Sequence, residues 1–302
     1  MTNKVFTDTS DIFAIDYGDI IQVGGKKFIV KGHEREERFG LDEPKFWVKK
    51  VVDLETEERK IIKLSFFETF ETNIGEIRVQ CFRHPEKEGA VLNLVKDHPH
   101  FMHGTSCHDE KKNCVRILDI VQGRNLFEYI NSLEMEHERY FCEIFPGILK
   151  SLIPALHALQ FLHTNGFTHG DVRNDHIFIE RGTGNYVWID FDYDHKLVEN
   201  PFSLDIMGVG NILLYTIGKG FYNMKQTDKG ELIYKDLSKI AAPEDFSILH
   251  KWRFMNLKKL YSYIPDDLNN ILSHFTAGAE IFYESVNEII EDLNECMHLK
   301  KI

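Results

Sequence analysis

Apolar and polar positions alternate with a period of two on either side of Gly24-Gly25 in the stretch Asp19 to Gly32 (DIIQVGGKKFIVKG). That is the pattern of a β-hairpin with one buried face. A second pair follows: Phe46 to Val52 (FWVKKVV), a polar turn (DLETEER), then Lys60 to Leu64 (KIIKL). HPHFMHGTSCH followed by DEKKN and CVRILDI predicts two more strands around a turn. From Ile144 to His163 the period lengthens, and Leu149, Leu152, Ile153, Leu156, Leu159 and Leu162 fall on or near one helical face. His176 to Glu180 (HIFIE) and Tyr186 to Ile189 (YVWI) are short apolar strands separated by the turn residues Arg181 to Asn185. Helical periods return at Leu257 to Tyr263, after Ile264-Pro265-Asp266, and from Tyr283 to Met297.

A chain of 302 residues, 43% apolar, can bury a substantial core as one large domain or two lobes. A formal net charge of -12 argues against a surface built for nucleic acid or anionic lipid. The N-terminus MTNKVFTDTSDIF has no apolar signal core, and the runs SLIPALHALQFLH and VGNILLYTIG are too short to span a bilayer, so a soluble, cytoplasmic protein without membrane insertion is expected. The five cysteines (Cys81, Cys107, Cys114, Cys142, Cys296) follow no paired spacing, which suits free thiols. His98, His100, His103, Cys107, His108 and Cys114 crowd one segment, but their spacing matches no pair-and-pair zinc pattern, and strands around a turn are the better reading.

The chemistry concentrates between Phe161 and Asp194. A hairpin from His176 to Ile189 would aim two loop carboxylates, Asp171 and Asp190, at one point, with Arg173 beside them. Such a set suits phosphoryl transfer: one acid orients an attacking hydroxyl, the other holds a divalent metal, and the arginine offsets transferred charge.

His169-Gly170-Asp171 and Asp190-Phe191-Asp192, in this order behind a helix ending in Leu162-His163, resemble the catalytic and metal-binding loops of the protein-kinase-like superfamily. The resemblance runs from about residue 27 to residue 297 and implies an α+β, two-lobe fold: an antiparallel-sheet small lobe with one helix over residues 1–120, and a mainly helical large lobe over 121–302. It implies an ATP-dependent kinase using Mg2+ or Mn2+ and passing the γ-phosphoryl group to a protein serine or threonine, or to a small-molecule hydroxyl such as a sugar or lipid. Lys63 stands where the family has its phosphate-contacting lysine. Glu88, ahead of Val91-Leu92 and His98-Pro99, is its expected partner, with Glu76 and Glu86 as competitors. Asp119, Ile120 and Val121 match the hinge whose backbone meets adenine.

The departures from the family are as informative. The connection from Gly32 to Lys45 is long and charged where a glycine-rich loop is usual, leaving either Arg35, Arg38 and Gly40 to cover the phosphates or a solvated loop. His176 replaces a metal-binding asparagine, as in the lipopolysaccharide-core sugar kinases; it either ligates the metal, shifting preference toward manganese, or packs at the strand start. His169 reads as a packed structural histidine. Asp190 to Asp205 is short, with Tyr193 and Ser203 as its phosphorylatable hydroxyls, and Gly170 stands in place of a phosphate-reading arginine, so activity without a phosphorylation switch is expected. A catalytically impaired pseudokinase, binding nucleotide as a scaffold, is the competing reading.

Overall fold

The computed structural model describes residues 3–38, 41–196, 200–224, 232–233 and 237–298. The chain is α+β and divides into two compact units. The first comprises Met1–Thr69, Phe82–Gln122 and Phe191–Asp194, the second Phe70–Cys81, Gly123–Asp190 and His195–Ile302.

In the first unit, strands β1 (Val5–Phe6), β2 (Ile20–Val23), β3 (Lys26–Arg38), β4 (Leu41–Asp53) and β5 (Arg59–Lys63) lead into the sheet. Strands β6 (Thr69–Ile74) and β7 (Ile77–Arg83) come next in the chain, mostly within the second unit; the first unit resumes with helix α1 (Pro85–Leu94), β8 (Gly104–His108) and β9 (Cys114–Asp119). The seven-stranded sheet has the order β1-β2-β3-β4-β5-β9-β8, antiparallel except for β1 against β2. Its core gathers the inward positions of the alternating runs: Ile21, Val23, Phe28, Val30, Val51, Ile62, Leu64 and Val115, joined by Ile12 and Ile15. Helix α1 starts at Pro85 in its first turn, with His84 Nδ1 accepting the Lys87 N–H at 3.0 Å. Gly89 costs helix propensity, but a Cβ there would lie 2.8 Å from Ser106 Oγ on β8. The missing side chain lets the helix lie close on the hairpin.

The charged stretch after Gly32 is not the solvated loop its composition suggests. β3 and β4 stay in register through Glu34 with Lys45 and Arg35 with Pro44 to Arg38 with Leu41, past two register shifts near Gly32 and His33. Lys50 pairs with Glu34 across the ribbon at 3.1 Å. Charge prevents burial of such a strand, not its pairing. Gly40 lies outside the described residues.

In the second unit, β10 (Gly123–Asn125), β11 (Ile177–Glu180) and β12 (Tyr186–Trp188) form a small sheet, with Ile177 opposite Trp188 and Ile179 opposite Tyr186. The main helices are α2 (Leu126–Asn131), α3 (His137–Glu143), α4 (Phe145–Thr164) and α5 (Ser203–Gly218), followed by α6 (Leu237–Ile240), α7 (Asp266–Ser273) and α8 (Val286–His298). Asn125 caps α2 by accepting the Glu128 N–H at 2.8 Å. α4 is the core helix. It matches the expected period to within one residue at each end, but its apolar stretch is longer than the run SLIPALHALQFLH suggested: it is the one described helix long and apolar enough to cross a membrane, and half of it is buried within the protein. Leu149, Leu152, Leu156, Leu159 and Leu162 are buried, as the period required. The expected helix at Leu257 to Tyr263 is only a 3-10 turn, Leu257–Lys259. Pro265 disfavours helical backbone at Ile264, so a helix here could not run past Tyr263, about two turns at most, too short to hold on its own.

His137 opens α3 and stacks on Tyr261 with ring centroids 3.7 Å apart. Its Nε2 lies 2.9 Å from the Ile217 carbonyl and its Nδ1 2.7 Å from the Tyr263 hydroxyl. Burial, with Lys219 adding repulsion, pushes its pKa down from 6.5 to about 4. The folded chain therefore takes up this proton less readily than the unfolded chain. The stability it confers is complete above pH 6.5 and is lost as pH falls through 4. After discounting for solvent screening this amounts to about 2 kcal/mol. His137→Phe should flatten the stability-versus-pH curve across that window in urea titrations; parallel curves for the two proteins would contradict the assignment.

Candidate active site

Lys63 ends β5, and its Nζ lies 2.7 Å from Glu88 Oε1 on α1. The other carboxylate oxygen, Oε2, accepts from Arg116 Nε of β9 at 3.0 Å. Glu88 and Arg116 are completely buried. Glu88 thus bridges two cations from neighbouring strands, and neither charge is left uncompensated. Asp192 is equally buried and sits 3.4 Å from Lys63 Nζ and 2.5 Å from Arg83 NH1. Arg83 also reaches Glu68 at 3.2 Å and lies over the Tyr193 ring. Of the competitors for Lys63, Glu86 is exposed and 3.1 Å from His108, while Glu76 lies between β6 and β7, exposed. Asp119 ends β9 with its carboxylate 2.7 Å from Lys60 and its N–H donated to the His103 carbonyl at 2.9 Å. Ile120 is exposed and Val121 half-buried.

In the second unit the hairpin of β11 and β12 is fixed to α4 by Trp188, whose Nε1–H donates to the Ala155 carbonyl at 2.8 Å. His169 is fully buried and packs edge-on against Trp188, centroids 5.0 Å apart. The loop ahead of the hairpin hangs from one carboxylate. Asp205, in the first turn of α5, accepts the His169 N–H at 2.6 Å, the Gly170 N–H at 2.8 Å and His163 Nε2 at 3.0 Å. A Cβ on Gly208, one turn on, would stand 2.5 Å from the Val172 carbonyl, so α5 lies against this loop only because the side chain is absent.

Asp171 follows directly. Its Oδ2 is 3.5 Å from His176 Nδ1 and 4.0 Å from Arg173 NH1. Burial raises the Asp171 carboxyl above the usual aspartate range, and His176 and Arg173 only partly offset this. Arg173 gives its fork to Asp175, at 3.0 and 2.5 Å. The Asp175 carboxyl is held below its usual range by His176 and Arg173 in spite of burial. Asp190 has φ of 65°, a strained value for a residue with a side chain. Its Oδ2 lies 3.8 Å from His176 Nε2. His176 Nδ1 is 2.9 Å from the Asp171 carbonyl, an acceptor only, so Nδ1 carries a proton, and Nε2 faces the Asp190 carboxylate. A nitrogen and an oxygen donor facing each other at that distance could take a cation between them, and the two together fit a first-row divalent ion such as manganese.

Tyr193 is buried, its hydroxyl donating to Glu68 Oε2 at 2.7 Å, and Ser203 Oγ donates to the Asn200 carbonyl at 2.8 Å. Sequence reasoning did not single out Arg83, Arg116, Asp175 or Asp192. It used Asp205 only as the far end of the short segment from Asp190.

No family model matches the chain. In Mus musculus, the sperm motility kinase Tcr mutant form is 22% identical over 178 residues, covering 51% of this chain and 35% of that protein. Sperm motility kinase 2B of the same species is 24% identical over 112 residues, covering 37% and 22%. The chain thus spans about a third or less of the length of these relatives. The similarity is distant and partial, and it is to kinases.

Proposed function

We propose that the protein is an ATP-dependent phosphotransferase that passes the γ-phosphoryl group to a hydroxyl, first of all that of a protein serine or threonine. The observation that carries this reading is the convergence of Asp171, His176 and Asp190, with His176 Nε2 turned toward the Asp190 carboxylate. Asp190 and His176 would hold a divalent metal, Mg2+ or Mn2+, whose charge stabilises the phosphates when bound. Asp171 would orient the acceptor hydroxyl and take its proton, and its raised pKa makes it a better base than an ordinary aspartate. Arg173, half-exposed beside Asp171, would offset transferred charge. Lys63, steadied by Glu88, would meet the nucleotide phosphates, and the backbone of Asp119 to Val121 would meet the adenine edge. In this reading residues 1–120 act as the nucleotide-covering lobe and 121–302 as the catalytic lobe.

A second reading, nucleotide binding without transfer, has one observation in its favour: Asp192 also claims Lys63, at 3.4 Å. Incubating the protein with γ-labelled ATP and either metal, with a generic protein acceptor or with free sugars, separates the cases. We expect label on serine or threonine of the protein acceptor. Label only on small molecules would move the acceptor class, and ATP binding without any transfer would favour the second reading.

His176→Asn exchanges nitrogen for oxygen at the metal and should shift the ratio of manganese- to magnesium-supported turnover toward magnesium. An unchanged ratio would remove His176 from the metal.

A further inference from the structure

The histidine- and cysteine-rich segment remains unused by this chemistry. His108 ends β8 and Cys114 begins β9, and the two are direct partners in the antiparallel register, so their side chains leave the same face of the hairpin. Helix α1 crosses that face and adds Glu86 from its first turn. The Nε2 of His108 is 3.1 Å from Glu86 Oε1, and one ligand atom each of Glu86, His108 and Cys114 lies within 4.8 Å of the others.

We propose that Glu86, His108 and Cys114 form a Zn2+ site that clamps the start of α1 to the β8–β9 hairpin. Imidazole, thiolate and carboxylate are the donors zinc takes in tetrahedral geometry, at about 2.0–2.3 Å, and a water would complete the four. Contraction from the present separations falls on Glu86 and His108, both exposed and free to turn, while Cys114 is buried and fixed by backbone pairing. Binding replaces the Cys114 S–H bond by a metal–sulfur bond and releases the proton to solvent; no electron changes hands. Burial keeps this thiol protonated in the metal-free protein, with a pKa of about 11. The sequence alone could not reveal the site, because its third donor is not on the hairpin but 22 positions before His108. Glu88 lies two residues after Glu86 on the same helix, so the clamp would also steady the partner of Lys63.

The test uses the full chain, stripped with a chelator and titrated with cobalt as a spectroscopic substitute for zinc. The native protein should show a thiolate-to-cobalt charge-transfer band at one equivalent, and zinc should displace the cobalt and raise the melting temperature. His108→Ala, at an exposed position, should weaken binding at least about 100-fold, since even residues behind metal ligands are worth about 10–100-fold. Cys114→Ser should abolish the band. No band in the native protein, a band that survives Cys114→Ser, or cobalt affinity unchanged in His108→Ala would overturn the proposal; should Cys114→Ser fail to fold, the His108→Ala affinity alone decides.

Discussion

Asp171→Asn is expected to lower phosphoryl transfer about 10³-fold while leaving the melting temperature and ATP affinity close to native. The magnitude follows from removal of a positioned general base. Amide for carboxylate preserves shape, and the nearest charged groups to Asp171 Oδ2 stand off at 3.5 and 4.0 Å, so little structure depends on its charge. Asn also relieves the cost of burying a charge, so a small gain in stability is consistent with the account. Single-turnover transfer alongside calorimetric ATP binding measures both quantities. A parallel fall in ATP affinity would instead assign Asp171 to nucleotide binding.

Asp205→Ala is expected to be the most damaging substitution in the second unit. Its carboxylate serves the buried His169 N–H, the half-buried Gly170 N–H and the buried His163 imidazole, and truncation would leave each without that acceptor. Loss of one partner from such a buried charged network costs about 3–5 kcal/mol. The loop that delivers Asp171 would loosen with it, so transfer should fall even where the protein still folds. Asp205→Asn keeps one acceptor oxygen and should fall between. Urea unfolding followed by tryptophan fluorescence checks the order native, Asn, Ala; an alanine variant within about 1 kcal/mol of native would contradict this role.

Much of this was legible in the sequence because it lay in local pattern. The hairpin of β11 and β12 announced itself by two short apolar strands around a glycine turn, and α4 by the leucine period that became its buried face. Glu88 could be matched to Lys63 from motif spacing, and the two meet at 2.7 Å. What escaped was pairing between distant segments of ordinary appearance. Arg116 sits in CVRILDI, where an arginine in an apolar strand gives no sign of reaching back 28 positions to Glu88. Arg83 and Asp192 are 109 positions apart, and neither has local context that predicts an ion pair. The charged ribbon of β3 and β4 was hidden for a different reason: composition reports exposure, whereas strand pairing is a backbone property that exposed residues satisfy equally well.

The most direct test of the phosphotransferase reading is γ-labelled ATP turnover by the native chain, in magnesium and in manganese, beside Asp190→Ala. The account predicts label transfer to an added protein hydroxyl with at least one metal, and loss of transfer when Asp190 is removed. Native protein that binds ATP but transfers nothing, or an Asp190→Ala protein that transfers as well as native, would contradict it.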